Sequence, residues 1–418
     1  MTIPQPKQTS GNYIHWELSN GIRVIHSHVP NQVAHCGIFI NTGSRDELET
    51  EHGLAHFIEH TIFKGTKKRR AFHILTRMED VGGEINAYTS KEETCIYSTF
   101  LYPHYRRALE LLVDITFHSV FPEREIKKEK TVIIDEINSY KDSPSEEIFD
   151  RFEEFIYPNH PLGHDILGTP AHLKKFDADH IRNFIARTYN TDQIVFSSVG
   201  NISEKNLRRI VDSTLGTIPA NYRSFKREEV QEYIPFQNSL KRRTYQSHLI
   251  MGNRAYTMKD KRRSGMILLN NLLGGPGMSS RLNLAIREKY GFTYNIDSSY
   301  SIYSDTGLWT VYLGTEQEML ERCRDLVSKE LDKLKHQQLG SLQLHKAKQQ
   351  LIGQIAIAQE SNVSLMLGYA KTFLVFNKID TFEQIAGKID ALTSLELLEI
   401  ASEIFAEDQL STLSFPSK

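Results

Sequence analysis

The order of strand and helix patterns runs twice along this chain, and no other feature restricts its fold as much. In the first half, Ile14, Trp16 and Leu18 alternate with polar residues, Asn20-Gly21 supplies a two-residue turn, and Ile22 and Val24 resume the alternation of a hairpin. A strand follows at Cys36–Ile40, then a helical pattern over Gly53–Phe63 in which Leu54, Phe57, Ile58 and Ile62 recur at helical spacing. After Gly82-Gly83 comes a strand-like segment, Ile85–Phe100, then helices at about Tyr105–Ser119 and Glu123–Tyr140. A strand at Gln193–Val199 and a helix at Glu204–Leu215 close this half. The second half repeats the order: a strand around His248–Gly252, a helix at Gly265–Leu273 and a glycine-rich stretch. Strands at Thr293–Ser301 and Leu308–Leu313 and a helix from Glu316 to Leu334 follow. Phe57–Ile62 then faces Leu268–Leu273, with a polar pair at the same place but of different chemistry. Duplication into two unequal halves accounts for this pattern.

At 418 residues the chain has room for two or three domains. We read residues 1–219 as the first domain, 220–234 as a linker and 235–418 as a degenerate repeat of the first. The linker reading rests on the segment Ile218–Pro235, which has two prolines, Asn221, the run Lys226-Arg227-Glu228-Glu229 and no helical apolar period; a long surface loop within one domain is the alternative. Helix and strand patterns alternate without strict βαβ spacing, so each half is expected to be α+β, a sheet with helices packed on one face.

Fifty Lys and Arg against 52 Asp and Glu leave a net charge of −2, so no electrostatic excess points to nucleic acid or an anionic membrane. Apolar runs such as Leu109–Val113 are far shorter than the ~18 residues that span a bilayer. Met1–Gly11 is polar, with no apolar stretch of a secretory signal. Three scattered cysteines, Cys36, Cys95 and Cys323, fit a reducing compartment, and a cytoplasmic protein is the expectation.

The string His56-Phe57-Ile58-Glu59-His60 carries the chemistry. On a helix His56 and His60 share one face, with Glu59 at its border, while Phe57 and Ile58 turn to the packed side. Two imidazoles so placed are a standard way to hold zinc, and a carboxylate between them reaches a water on the metal. The same residues also fit the surface of an amphipathic helix. The order His-x-x-Glu-His is nevertheless the inverted form of the zinc-protease motif. A catalytic zinc needs a third protein ligand. Glu129 and Glu136 lie two turns apart on one predicted helix, with Ile133 anchoring its opposite side. Paired acids on a helix are ordinarily a solvated face. Glu136, however, sits among Val132, Ile133, Ile134 and Ile137, where an unpaired carboxylate is costly.

Taken together, these residues resemble the pitrilysin family of zinc peptidases, which includes mitochondrial processing peptidase and insulin-degrading enzyme, and most of all its short bacterial members. The resemblance covers essentially the whole chain. Gly53–His60 with Phe63-Lys64-Gly65-Thr66 is similar to the family's metal helix, Glu136 lies 76 residues after His60 as its third ligand does, and Glu129 is similar to its auxiliary acid. Gly82-Gly83, Asn86-Ala87, Thr89 and Glu93-Thr94 resemble its substrate-binding edge strand, and His160–Gly163 with Ile166–Thr169 resembles a typical loop. Gly274–Leu282 and Arg287–Tyr294 resemble stretches of the family's second domain, and no motif position departs.

The resemblance implies two homologous domains, each a mainly antiparallel sheet with helices on one face, forming half of a clam-shell chamber. It implies one Zn2+ per chain on His56, His60 and Glu136, Glu59 as the base acting on metal-bound water, and Glu129 supporting a ligating histidine. Arg287 and Tyr294 are implied to stabilise the oxyanion, and Gly83, Asn86, Ala87 and Thr89 to bind an extended peptide by strand addition. On their own residues, Arg287 and Tyr294 also read as an exposed helix end and a strand start, and Glu84–Thr94 as an ordinary internal strand. The expected function is a zinc endopeptidase for unfolded peptides, working as a homodimer or beside an inactive relative. A non-catalytic partner subunit and a dedicated presequence-processing enzyme are the rivals. Two further features carry no such reading. His160 and His164 are four apart, but Pro161 and Gly163 make the segment a loop. Gly274–Gly277 lacks the Lys-Ser/Thr of a phosphate loop and follows a helix.

Overall fold

The computed structural model describes residues 13–417; the N-terminal segment read above for a signal, Met1–Gly11, lies outside them. The first sheet has six strands, β1 (Tyr13–Glu17), β2 (Arg23–His28), β3 (Val33–Ile40), β4 (Glu84–Thr89), β5 (Thr94–Leu101) and β6 (Ile194–Gly200), in the order β1-β2-β6-β3-β5-β4. All neighbours are antiparallel except β2 and β6. The second sheet has five, β7 (Gln237–Ser239), β8 (Ser247–Ala255), β9 (Thr293–Ile302), β10 (Gly307–Thr315) and β11 (Ser411–Phe415), in the order β7-β11-β8-β10-β9, with β7 and β11 parallel. The architecture is α+β, with two mainly antiparallel sheets.

Alternation along the central strands divides each sheet into two apolar faces. On the first sheet Ile38, Ile40 and Phe196 join the core formed with helices Leu54–Thr61, Tyr105–Phe117, Ala178–Thr188 and Glu204–Ser213. Ile25, Phe39, Val195 and Val199 point the other way and are covered by Met366, Ala370 and Phe373 of helix Asn362–Phe376. The second sheet repeats the plan. Met251, Trp309 and Val311 pack with helices Arg263–Gly274, Leu320–His336 and Ser394–Ile404, while Ile250, Leu308 and Tyr312 meet Ile148, Phe152 and Ile156 of helix Pro144–Ile156. Each sheet therefore carries its main helical layer on one face, as expected, and a single helix on the other.

That single helix comes in each case from the opposite half of the sequence. One compact unit comprises residues up to Ile137, His164–Arg227 and Ile357–Thr381; the other comprises Asn138–Gly163, Glu228–Ala356 and residues from Phe382 onward. Residues 219–227 have no helix or strand, yet they are tied to the first unit: Asn221 accepts from Thr191, and Arg227 pairs with the buried Asp46.

Two local readings change. The Asn20-Gly21 turn is a three-residue connection, because Glu17 pairs with Arg23 and Leu18 N–H donates to Ile22. The segment Ile85–Phe100 is a hairpin rather than one strand, reversing where Ser90 N–H donates to Glu93 O at 2.8 Å.

Candidate metal centre

The helix Leu54–Thr61 starts from Gly53, at φ +93, where a Cβ would lie 2.6 Å from Leu167 O. Its first amides meet the buried Glu47: Oε2 accepts from Gly53 N at 2.9 Å and Oε1 from Ala55 N at 2.7 Å. Burial pushes the Glu47 carboxyl well above the usual carboxylate range, against the pull of those two N–H groups. Leu54, Phe57 and Ile58 are fully buried on the core side, which turns His56 and His60 to one face with ring centroids 4.7 Å apart.

Glu136, on helix Glu123–Lys141, completes the group. Its Oε1 is 3.8 Å from His56 Nε2 and its Oε2 is 3.5 Å from His60 Nε2. A tetrahedral ion with 2.0–2.1 Å bonds holds neighbouring ligand atoms about 3.3 Å apart, so small shifts would close the three donors on zinc. Ligand atoms of His56, His60 and Glu136 all lie within 4.8 Å of one another, the one such group of three among the described residues. Burial, and then the neighbouring His60, push His56 down to about 4, which keeps its imidazole neutral and its lone pair available. The residues fit the metal that the motif implies.

Around the group, Glu129 is the buried acid of its helix. Its Oε2 is 3.4 Å from His60 Nδ1 and its Oε1 is 2.8 Å from Lys64 Nζ. The apolar setting read for Glu136 is only partly present: Ile133 and Ile137 are buried, but Val132 is exposed and the Glu136 side chain is 32% accessible. Glu59 is half-buried, and burial raises its carboxyl above the usual range; Thr89 and His60 act to lower it and Glu136 to raise it. The Thr89 hydroxyl beside it is buried without a well-formed hydrogen bond. Lys64 and Glu47 were given no role in the sequence. Lys64 is one turn beyond His60, a spacing that could have flagged it, whereas Glu47 reaches the helix start from a preceding loop and leaves no periodic signal.

Thr89, Ala87 and Asn86 lie on β4, whose one partner among the described residues is β5, and Gly83 immediately precedes it; β4 is thus a sheet edge there, with Asn86 exposed, and the His56–His60 helix packs against it. Arg287 and Tyr294 belong to the second unit. There the Arg287 guanidinium lies 5.1 Å from the centre of the Tyr294 ring, and Tyr294, on edge strand β9, is 75% exposed. The repeat helix Arg263–Gly274 offers Ile267, Asn270 and Asn271 where the first offers His56, Glu59 and His60. Asn270 is spent on β9, donating to Ser298 O at 3.2 Å and accepting from Ser298 Oγ at 2.6 Å. His160 and His164 flank a 3-10 turn, Pro161–Gly163, and not an α-helix. No helix of the described residues is long and apolar enough to cross a membrane.

Known proteins resemble the chain over nearly its whole length. Residues 23–170 match Insulinase (Peptidase family M16), and residues 175–351 match Peptidase M16 inactive domain. The uncharacterized zinc protease YmxG of Bacillus subtilis is 35% identical over 399 residues, 95% of this chain and 97% of that protein. An uncharacterized zinc protease of Rickettsia felis is 31% identical over 408 residues, 96% and 97% of the two chains. Among solved structures, a protease from Helicobacter pylori superposes with a TM-score of 0.90 at 21% identity, covering 98% of this chain and 100% of its own, which speaks to the fold. On the family matches and the full-length relatives, the chain belongs to peptidase family M16, the insulinase and pitrilysin family.

Proposed function

We propose that this chain is a zinc-dependent endopeptidase that hydrolyses unfolded peptides or short polypeptides. The observation that carries the reading is the His56–His60–Glu136 group, with the half-buried Glu59 beside it and the open edge of β4 alongside. Zinc held there would supply a Lewis acid that polarises a carbonyl and acidifies water. Glu59 takes the proton of the attacking water and returns it to the leaving amine; a carboxyl raised by burial is better matched to that exchange near neutral pH. Glu129 orients His60 through Nδ1 and is itself held by Lys64. An extended peptide adds to β4 beyond Asn86 and Ala87 through main-chain hydrogen bonds, which recognise backbone rather than sequence. Arg287 and Tyr294 supply donors to the developing oxyanion, and the working assembly is a homodimer or a pair with an inactive relative.

Metal analysis joined to peptide-library cleavage on the purified chain tests the reading. His56→Ala, His60→Ala and Glu136→Gln should each lose the bound zinc and the cleavage together. Full zinc occupancy in His60→Ala would refute the ligand assignment.

A further inference from the structure

A second cluster of imidazoles lies in the first unit, apart from the group above. His52 stands between two others: its ring centroid is 3.8 Å from that of His164 and 4.9 Å from that of His172. All three side chains are half-buried, within reach of solvent. We propose that His52, His164 and His172 form a second binding site for a divalent transition-metal ion of the zinc type.

The spacing supports it. Two imidazoles on one tetrahedral ion with 2.0–2.1 Å bonds place their ring centroids about 5 Å apart. The His52–His172 pair has that separation already, as does the His56–His60 pair at 4.7 Å. The His52–His164 pair is tighter, and an entering ion would open it by about 1 Å. The nitrogens of the three rings do not converge as those of the first group do, so binding also turns the His52 and His164 rings about their terminal torsions, which are soft.

The chemistry supports it as well. Three imidazoles suit zinc, copper and nickel, and a fourth position open to water is the usual arrangement of a three-ligand site. Thr169 Oγ1 lies 2.9 Å from His172 Nδ1, which fixes that ring and leaves Nε2 as its ligand atom.

The scaffold is built rather than loose. Gly168, at φ +69, packs so closely on the His52–Gly53 backbone that a Cβ would lie 2.2 Å from His52 O. Asp165 holds the turn between His164 and Gly168, accepting from Leu167 N at 2.8 Å and from Gly168 N at 3.0 Å. Lys91 Nζ donates to His164 O at 2.6 Å. Because His52 directly precedes Gly53, the residue from which the Leu54–Thr61 helix starts, an ion here would pin the entry of that helix to the 164–172 loop.

This inference does not depend on the peptidase reading, and its test separates the two. The full chain is stripped with a chelator and titrated with Zn2+ alone, the ions per chain being counted by equilibrium dialysis and elemental analysis. The expected result is a second zinc, more weakly held than the first. The His164→Ala, His172→Ala double variant should lose affinity for it by more than the 10–100-fold that loss of a supporting group costs, while retaining the first ion and the cleavage measured at one zinc per chain. Retention of the first ion shows that the variant is folded. Conversely, His56→Ala with His60→Ala should lose the first ion and keep the second. Saturation at a single zinc, or a second zinc undiminished in the His164, His172 variant, overturns the proposal.

Discussion

His60 is approached from two sides, by Glu136 at Nε2 and by Glu129 at Nδ1, and this double hold is what the pair of acids two turns apart on helix Glu123–Lys141 provides. Removing the negative charge of Glu129 should loosen the imidazole and leave Lys64 without its ion-pair partner. Glu129→Gln should therefore weaken zinc binding about 10–100-fold with little effect on folding, measured by competition with a metallochromic chelator. Unchanged affinity would mean that Glu129 only neutralises Lys64. At this scale the sequence was informative where spacing meets chemistry. The i, i+4 histidines and the intervening carboxylate declare themselves on any helix, and the seven-residue spacing put Glu129 and Glu136 on one face. What misled was local context: the apolar neighbours of Glu136 suggested burial, yet Glu129 is the buried one, because core packing and not the adjacent sequence sets depth. The caps were invisible, since Glu47 reaches Gly53 and Ala55 through the chain's path in space.

Among elements, the least foreseeable is helix Asn362–Phe376. It is apolar on most of its circumference, so its sequence gives no face, and it lies some 160 residues past β6, against which it packs. Ser197 Oγ donates to Met366 O at 2.8 Å, and Arg23 donates to Phe373 O at 3.2 Å, fastening it to the sheet. Phe373, 3% exposed, fills the cluster with Ile25, Phe39 and Val199. Phe373→Ala should cost about 3–5 kcal/mol of stability, the usual figure for a buried Phe truncated to Ala. Urea unfolding followed by far-UV circular dichroism would show it as a lower midpoint with an unchanged slope; a loss under about 1 kcal/mol would mean that the helix is not part of this core. The same arrangement means that residues 1–219 alone leave the face of Ile25, Phe39 and Val195 uncovered. The first unit is thus best studied within the full chain. The hairpin of β4 and β5 was missed for a related reason. Its reversal at Ser90–Glu93 contains no Gly, Pro or Asn, and it is held by contacts outside itself, Glu92 to Arg45 and Lys91 to His164 O.

For the molecule as a whole, the duplicated order of elements foretold two sheets with similar helical layers, and both are present. It could not foretell that each half lends a helix to the other's sheet, because nothing in periodicity says which of two equivalent faces a helix will cover. The two units share a plan and differ in chemistry: where one has Glu59 and His60, the other has Asn270 fastened to Ser298 and Asn271 beside it. If the second unit serves the reaction through Arg287 and Tyr294, Tyr294→Phe should lower kcat roughly 10-fold or more and leave zinc content unchanged, since a lost oxyanion donor costs up to about 2.7–4 kcal/mol. Unaltered kinetics in both Tyr294→Phe and Arg287→Ala would remove the second unit from the chemistry. The most direct test of the central claim is zinc content and peptide turnover measured side by side on Glu59→Gln. That substitution keeps the size of the side chain and removes the base. Zinc should equal that of the unaltered chain and turnover should be at least ~100-fold lower. Near-normal turnover by this variant, with zinc in place, would contradict that claim.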